Sequence, residues 1–314
     1  MNPNFPDALP AGTTLSNGAF VLDDVLGQGG FGITYRGRDL NLGREVAIKE
    51  FFPLGSTRQN NDVRPASLAP DEYSQARATF LEEARTLARF SHPGIVDVYT
   101  VFGENNSAYM VMELLRGQPL SRMVETRGAL PVNEALDIIE RAGDALEVVH
   151  GAGLLHGDLK PDNIMACDDG RVVLIDFSLS KELEAESGLS TRRFAGSVRS
   201  GTPGYAPPEQ YGRTTPVGTY TDVYALAATL YHLLTAQTPI EATDRAAGTP
   251  LPDIRQFNPQ INNRLASAIN GAMSMEPRNR PQTARAFLTS LDEASTQAST
   301  QMSAPAPTAP QRPA

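Results

Sequence analysis

Cysteine is nearly missing from this chain: Cys167 is the only one. No internal disulfide can form, so a reducing compartment is expected. Cys167 follows a strand-like run and precedes the turn signal Asp168-Asp169-Gly170, which favours a structural thiol over a nucleophile. An excess of basic residues is missing too. Lys and Arg number 27 against 36 Asp and Glu, a net charge of -9. Non-specific nucleic-acid binding needs a basic face, so no nucleic-acid partner is expected. Long apolar runs are absent. The best, YALAATLYHLL at 224–234, is interrupted by His232 and is too short to span a bilayer. The first residues lack the charged start and apolar core of a secretory leader. These features predict a cytoplasmic chain with no membrane span. No internal repeat is evident.

What remains is an ordinary globular composition, 40% hydrophobic and 20% charged over 314 residues, enough for one large domain or two smaller ones. Residues 1–17 are rich in Pro, Gly and Asn and read as an extension. AFVLDDVLG, GITYRGRD and REVAIKEFF, between 19 and 52, alternate apolar and polar residues around Gly turns, predicting three antiparallel strands. Residues 53–72 read as a polar, Pro-rich loop. A helix is predicted over 71–90, with Phe80, Ala84, Leu87 and Phe90 on one face, and a hairpin over 95–115. After Gly117 helices dominate: 131–153, opened by Pro and closed by Gly, the apolar 221–236, 262–275 and 282–294. LLHGDLKPDNIM and VVLIDFSLS are short strand-and-loop pieces. From Ser295 the composition collapses to Ala, Pro, Ser, Thr and Gln apart from Met302 and Arg312, the mark of a disordered tail or linker. The chain is therefore mostly β over 18–115 and mostly α over 116–293. A ligand would lie at the 113–118 junction if the two parts form a cleft.

Four motifs carry chemistry. Gly27, Gly29 and Gly32 form G-x-G-x-x-G; glycines let backbone amides approach phosphate oxygens. A strand follows them, which disfavours a dinucleotide fold, where a helix must follow. By itself the motif also suits a plain glycine-rich hairpin. Lys49 ends VAIK. A lysine so flanked is half-buried and needs a partner, or else it snorkels from a sheet edge. HGDLKPDN at 156–163 holds Asp158, Lys160 and Asn163, types that can take a hydroxyl proton, neutralise transferred charge and hold a divalent ion. Asp176 follows an apolar run in IDFS, where a metal carboxylate would project. Either acidic piece alone could be a polar turn.

In this order the motifs resemble those of the eukaryotic-like (Hanks-type) protein kinases, over roughly residues 18–293, and GTPGYAPPEQ at 201–210 resembles the end of their activation segment. The resemblance implies an α+β, bilobal protein-kinase fold, with a small, mainly antiparallel β lobe carrying one main helix (18–115) and a larger, mainly α lobe (116–293), between an extension (1–17) and a tail (294–314). It implies a serine/threonine protein kinase using ATP and Mg2+, with Mn2+ as the alternative ion. Gly27, Gly29 and Gly32 would cover the phosphates, Lys49 would contact them and Glu83, in preference to Glu82, would pair with Lys49. Thr34, Ala47 and Met165 would sandwich adenine, Met112 would back the pocket, and Glu113 to Leu115 would be the hinge. Asp158 would be the catalytic base, Lys160 would neutralise the phosphoryl group, and Asn163 and Asp176 would hold the metal. Thr202 would meet Asp158 and Lys160, Glu209 would pair with Arg280, and Asp222 would tie the buried helix to the catalytic loop. Partners would be ATP and proteins bearing Ser or Thr. Many bacterial relatives continue into a membrane span and a sensor, so further domains past the tail are left open.

The departures are specific. Gly157 stands where the family has arginine, which usually binds an activation-segment phosphate; its loss implies activity that does not need that phosphate. Ser178 replaces the glycine after Asp-Phe, Thr34 the usual valine and Ala227 a small glycine. The long segment between Lys49 and Glu83 resembles a bacterial subset with VAIKE-x-x-P. Ser187, Ser190, Thr191, Ser197 and Ser200 are candidate autophosphorylation sites. The competing reading is a pseudokinase or scaffold that binds nucleotide without turnover.

Overall fold

The computed structural model describes residues 5–30, 32–177, 180–181, 201–212 and 216–301. Ser178, Ser187, Ser190, Thr191, Ser197 and Ser200 lie outside the described residues. The described chain divides into two compact units, one holding 5–118 with 164–175, the other 119–163 with the described residues from 176 onward.

The first unit is built on an antiparallel sheet of β1 (Thr14–Leu15), β2 (Phe20–Gln28), β3 (Gly32–Asp39), β4 (Arg44–Phe51), β7 (Val98–Glu104) and β8 (Ser107–Glu113), ordered β1-β2-β3-β4-β8-β7. Between β4 and β7 come a small hairpin, β5 (Thr57–Gln59) with β6 (Asp62–Arg64), and the helix α1 (Pro70–Leu87). Side chains alternate faces along a strand. Register places Thr34 opposite Lys49, and Ala47 opposite Met112. Thr34, Ala47, Lys49, Met110 and Met112 therefore share one face. Ile33, Tyr35, Val46, Ile48, Glu50, Tyr109 and Val111 share the other, and all seven are buried. Phe51 is on the Lys49 face, and Tyr73 and Phe80 of α1 pack against it at 5.5 and 5.6 Å between ring centroids.

The sequence reading of 53–72 as a loop misses the β5–β6 hairpin. Its strands are three residues long, too short to show a period of two, but Val63 is fully buried in the sheet's core, worth roughly 1.5–3 kcal/mol. Asn60, with φ at 54°, makes the turn, a conformation asparagine tolerates better than most residues. α1 starts with Pro70 at its first turn, and the Ala69 amide donates to Glu72 Oε2 at 3.1 Å. A second small sheet joins Gly117–Pro119, Ile164–Cys167 and Val172–Leu174. Leu174 bonds to Gly94 and Val96 through the backbone, fastening this sheet to the segment after α1.

The second unit is helical. α2 (Leu120–Arg127), which periodicity did not predict, is one short amphipathic stretch burying Leu120, Met123 and Val124. α3 (Val132–Gly151) follows Pro131 and buries a stripe from Ala135 to His150. α4 (Pro208–Tyr211) is a single turn. α5 (Thr219–Thr235) is buried on every side from Thr221 to Tyr231, as its mostly apolar sequence predicts. α6 (Ala242–Ala246), α7 (Asn263–Ala272) and α8 (Ala284–Gln301) complete the unit. Asn262 caps α7 by accepting from the Leu265 amide at 2.8 Å, worth about 1 kcal/mol. The α8 backbone runs beyond Ser295, into the stretch that composition alone assigns to the tail.

Gly117 shows why a residue type is fixed in the first unit. Its φ is +145°, and a Cβ there would fall 2.2 Å from the Ala166 carbonyl oxygen. Gly117→Ala is expected to cost about 2 kcal/mol or more, since it adds strain to a backbone clash. Urea denaturation of the variant checks this; unchanged stability would mean the two strands separate freely.

Candidate active site

The catalytic-loop residues meet within the helical unit. Lys160 Nζ donates to Asp158 Oδ2 and to Thr202 Oγ1, both at 2.9 Å. Thr202 Oγ1 donates to Asp158 Oδ1 at 2.6 Å. Asn163 Nδ2 donates to the Asp158 carbonyl at 2.7 Å and lies 3.2 Å from Oδ2. Three side chains thus hold one carboxylate. Each carboxylate oxygen has two lone-pair sites, so Oδ1, with Thr202 as its one donor among the described residues, keeps a site for an incoming hydroxyl.

The loop backbone is fixed from behind. Asp222, on α5 and 1% exposed, accepts from the His156 amide at 2.8 Å and the Gly157 amide at 3.0 Å. His150 Nε2 reaches the same carboxylate at 2.9 Å. Burial alone would raise the Asp222 carboxyl, but the His150 bond and the loop amides hold it below the usual 3.8. Gly157 has φ at +82°, where glycine is unstrained and arginine is not. Its carbonyl accepts from Gln210 Nε2 at 2.7 Å. Both peptide groups of Gly157 are therefore clamped, one by Asp222 and one by Gln210.

Gln210 has a rigid base. Its neighbour Glu209 forms a two-pronged pair with Arg280 at 2.6 and 3.0 Å. Both side chains are fully buried, and Thr221 also donates to Glu209 at 2.9 Å. Phe177 packs on His156 with 4.5 Å between ring centroids, joining the Asp-Phe segment to the catalytic loop. Asp176 belongs to the same unit, is exposed, and takes a positive φ of 54°.

The nucleotide candidates sit in the sheet unit. Gly32 is bound by sterics: a Cβ there would lie 2.4 Å from the Glu50 carbonyl oxygen. At Gly27, Gly29 and Gly30 no described residue beyond the chain neighbours lies within 4 Å of where a Cβ would be. Gly29 N–H bonds to the Gly32 carbonyl at 2.9 Å and closes the turn. Lys49 is half-buried on the face with Thr34, Ala47 and Met112, and Glu83 is half-buried on α1. Glu82 instead pairs with Arg85 at 2.8 Å, both about half-exposed. Met165 pairs with Val173 in the small hairpin, and Leu115 is half-buried just after β8. Sequence reasoning missed a fork here: Arg171, in the turn after Met165, binds Glu113 at 2.6 and 3.1 Å. It also missed the Gln210 clamp, although PPEQ was in view, because a carbonyl acceptor leaves no mark in sequence.

With this geometry in hand, comparison with known proteins is direct. The family model for the protein kinase domain matches residues 20–294. The chain belongs to the protein kinase family. It is similar to bacterial eukaryotic-like members. It is 32% identical to serine/threonine-protein kinase PknA of Mycobacterium tuberculosis over 255 residues, covering 80% of this chain and 54% of that protein. It is 32% identical to the probable serine/threonine-protein kinase PknB of Lactococcus lactis, covering 81% of this chain and 38% of that protein. It is 33% identical to the DNA damage-responsive serine/threonine-protein kinase RqkA of Deinococcus radiodurans, covering 87% and 39%. The chain thus spans 38–54% of the length of these relatives. The solved structure of PpkA-294 in its apo form matches with TM-score 0.74 and 28% identity, over 91% of this chain and 99% of that one. The bilobal α+β kinase fold inferred from the motifs is borne out. No helix among the described residues is long and apolar enough to cross a membrane.

The lowered Asp222 carboxyl sets a pH dependence. A depressed folded-state value gives stability that is present above the unfolded value of 3.8 and is lost as pH falls through the folded value. Asp222→Asn should cost about 3 kcal/mol at neutral pH, because two loop amides lose a charged acceptor. It should also lose this part of the acid dependence. Denaturation curves at neutral and acid pH test both.

Proposed function

We propose that this chain is a serine/threonine protein kinase domain that moves the γ-phosphoryl group of ATP to protein Ser and Thr hydroxyls and phosphorylates itself. The observation that carries the reading is the bonded cluster of Asp158, Lys160, Asn163 and Thr202. Asp158 Oδ1 accepts the substrate hydroxyl proton. Lys160, 2.9 Å from that carboxylate, lies where it neutralises charge on the phosphoryl group. Catalysis of this kind is mostly positioning and electrostatics. Lys49, with Glu83 as its acid, takes the phosphates, and the glycine turn of Gly27, Gly29 and Gly32 covers them. Thr34, Ala47, Met112 and Met165 take adenine, and the backbone from Glu113 to Leu115 takes its polar edge.

A hard divalent cation fits the donors. Asn163 commits Nδ2 to Asp158, which leaves Oδ1 as a ligand, and Asp176 adds an exposed carboxylate; oxygen donors of this kind suit Mg2+. When bound, the ion offsets charge on the ATP phosphates. ATP supply fits work in the cytoplasm.

The catalytic loop does not wait for an activation-segment phosphate. Gly157 offers no guanidinium, and its peptide groups are held by neutral or internal partners, Gln210 and Asp222. Phosphatase-treated chain is expected to keep its activity towards a peptide; near-total loss would contradict this. Asp158→Asn is expected to lower kcat by about 10²–10⁴-fold with nucleotide binding retained. Equal turnover in variant and wild type would contradict Asp158 as the base, and nucleotide binding with no turnover in either would leave a scaffold.

A further inference from the structure

The residue after Lys49 has no part in the chemistry described above, yet it is the most heavily bonded carboxylate in the sheet. Glu50 is fully buried on the face opposite Lys49. Arg58, from the β5–β6 hairpin, donates to it through both Nη atoms, at 3.0 and 2.7 Å. Tyr35 and Tyr109 each donate a hydroxyl at 2.8 Å. Arg58 is itself only 8% exposed along its side chain. It spends its other donors on the Asp7 carbonyl at 2.7 Å and the Asn61 carbonyl at 2.8 Å, and the Leu9 amide bonds Tyr35 at 3.0 Å. Burial and the Glu50 charge push both tyrosines well above their usual range, so they remain donors.

The hairpin continues to α1. The Val63 amide donates to the Asn105 carbonyl at 2.9 Å, and Asn106 Nδ2 donates to the Val63 carbonyl at 2.8 Å. Asn106 in turn accepts from α1, from Tyr73 Oη at its carbonyl at 2.7 Å and from Arg77 at its side chain at 3.3 Å. A series of bonds thus runs from the strand bearing Lys49, through Arg58, the hairpin and the Asn105–Asn106 turn between β7 and β8, to the helix bearing Glu83.

We propose that Arg58 and the β5–β6 hairpin are a positioning device that holds α1 at the Lys49 strand, so that Glu83 is set by the chain itself and not by an external ordering event. This rests on the kinase reading above. A lysine–glutamate pair between a strand and its neighbouring helix must be in place for turnover, and helix position controls it. A two-pronged guanidinium–carboxylate pair gives that position geometric definition. A buried pair need not add net stability over an apolar one, which separates a positioning role from a merely structural one.

The test uses two double variants of the full chain. Tyr73→Phe with Asn106→Gly removes the side-chain bonds that join the β7–β8 turn to α1 and to the hairpin; glycine keeps the positive φ of 52° at Asn106. Arg58→Met with Glu50→Gln removes the buried charges together. Both are compared with wild type for kcat per folded molecule and for amide exchange across Pro70–Leu87. The expected result is a kcat lower by about tenfold or more, with α1 amides exchanging faster while those of β2 and β3 keep their protection. Wild-type kcat in both variants, or unchanged α1 exchange, overturns the proposal. If wild-type chain transfers no phosphate, the function reading fails, and α1 exchange alone then decides whether the tether exists.

Discussion

The Asp158 carboxylate is the point on which the helical unit's site depends. Three side chains from two segments converge on it: Lys160 and Asn163 from its own loop and Thr202 from the segment that leads into α4. Such convergence needs a backbone that does not drift, and Asp222 provides it. A carboxylate buried in α5 is costly without donors; the two loop amides and His150 are those donors. The cost of burial is thereby offset only when the loop is in its working shape. Fold and site are coupled through that one group.

Gly157 takes its meaning from the same contact. In sequence it is a departure from the family's arginine. In the structure it occupies a left-handed backbone, with its amide on Asp222 and its carbonyl on Gln210. A glycine there relaxes the turn that presents Asp158, and the Gln210 amide grips the loop without any charge. The substitution removes a guanidinium and leaves the carboxylate cluster whole.

Much of this was legible in the sequence, for physical reasons. The residues of the catalytic cluster lie close in sequence, and local motifs survive translation into geometry. The strands β2 to β4 lie between glycine turns, and α5 announces its burial by a mostly apolar sequence. What was hidden depends on partners far apart in the chain. Nothing in VAIKE tells that Glu50 is buried, or that Arg58 in an apparently polar loop is its partner. The hairpin strands are too short for periodicity, and α2 carries only a few buried residues. Gln210 meets a carbonyl, which every residue has. Glu83 was favoured over Glu82 by alignment with the family, and the structure adds a separate reason, since Glu82 is turned outward to Arg85.

The sheet unit and the helical unit each solve one part of the same problem: a charged group held in register by buried partners. In the first, Glu50 and Arg58 brace the strand of Lys49; in the second, Asp222 braces the loop of Asp158. Both braces serve one proposed reaction, phosphoryl transfer to aliphatic hydroxyls. Phosphoamino-acid analysis of a protein substrate incubated with the chain and γ-labelled ATP tests it most directly. Label is expected on serine and threonine; label confined to tyrosine, or none on protein at all, would contradict that reaction.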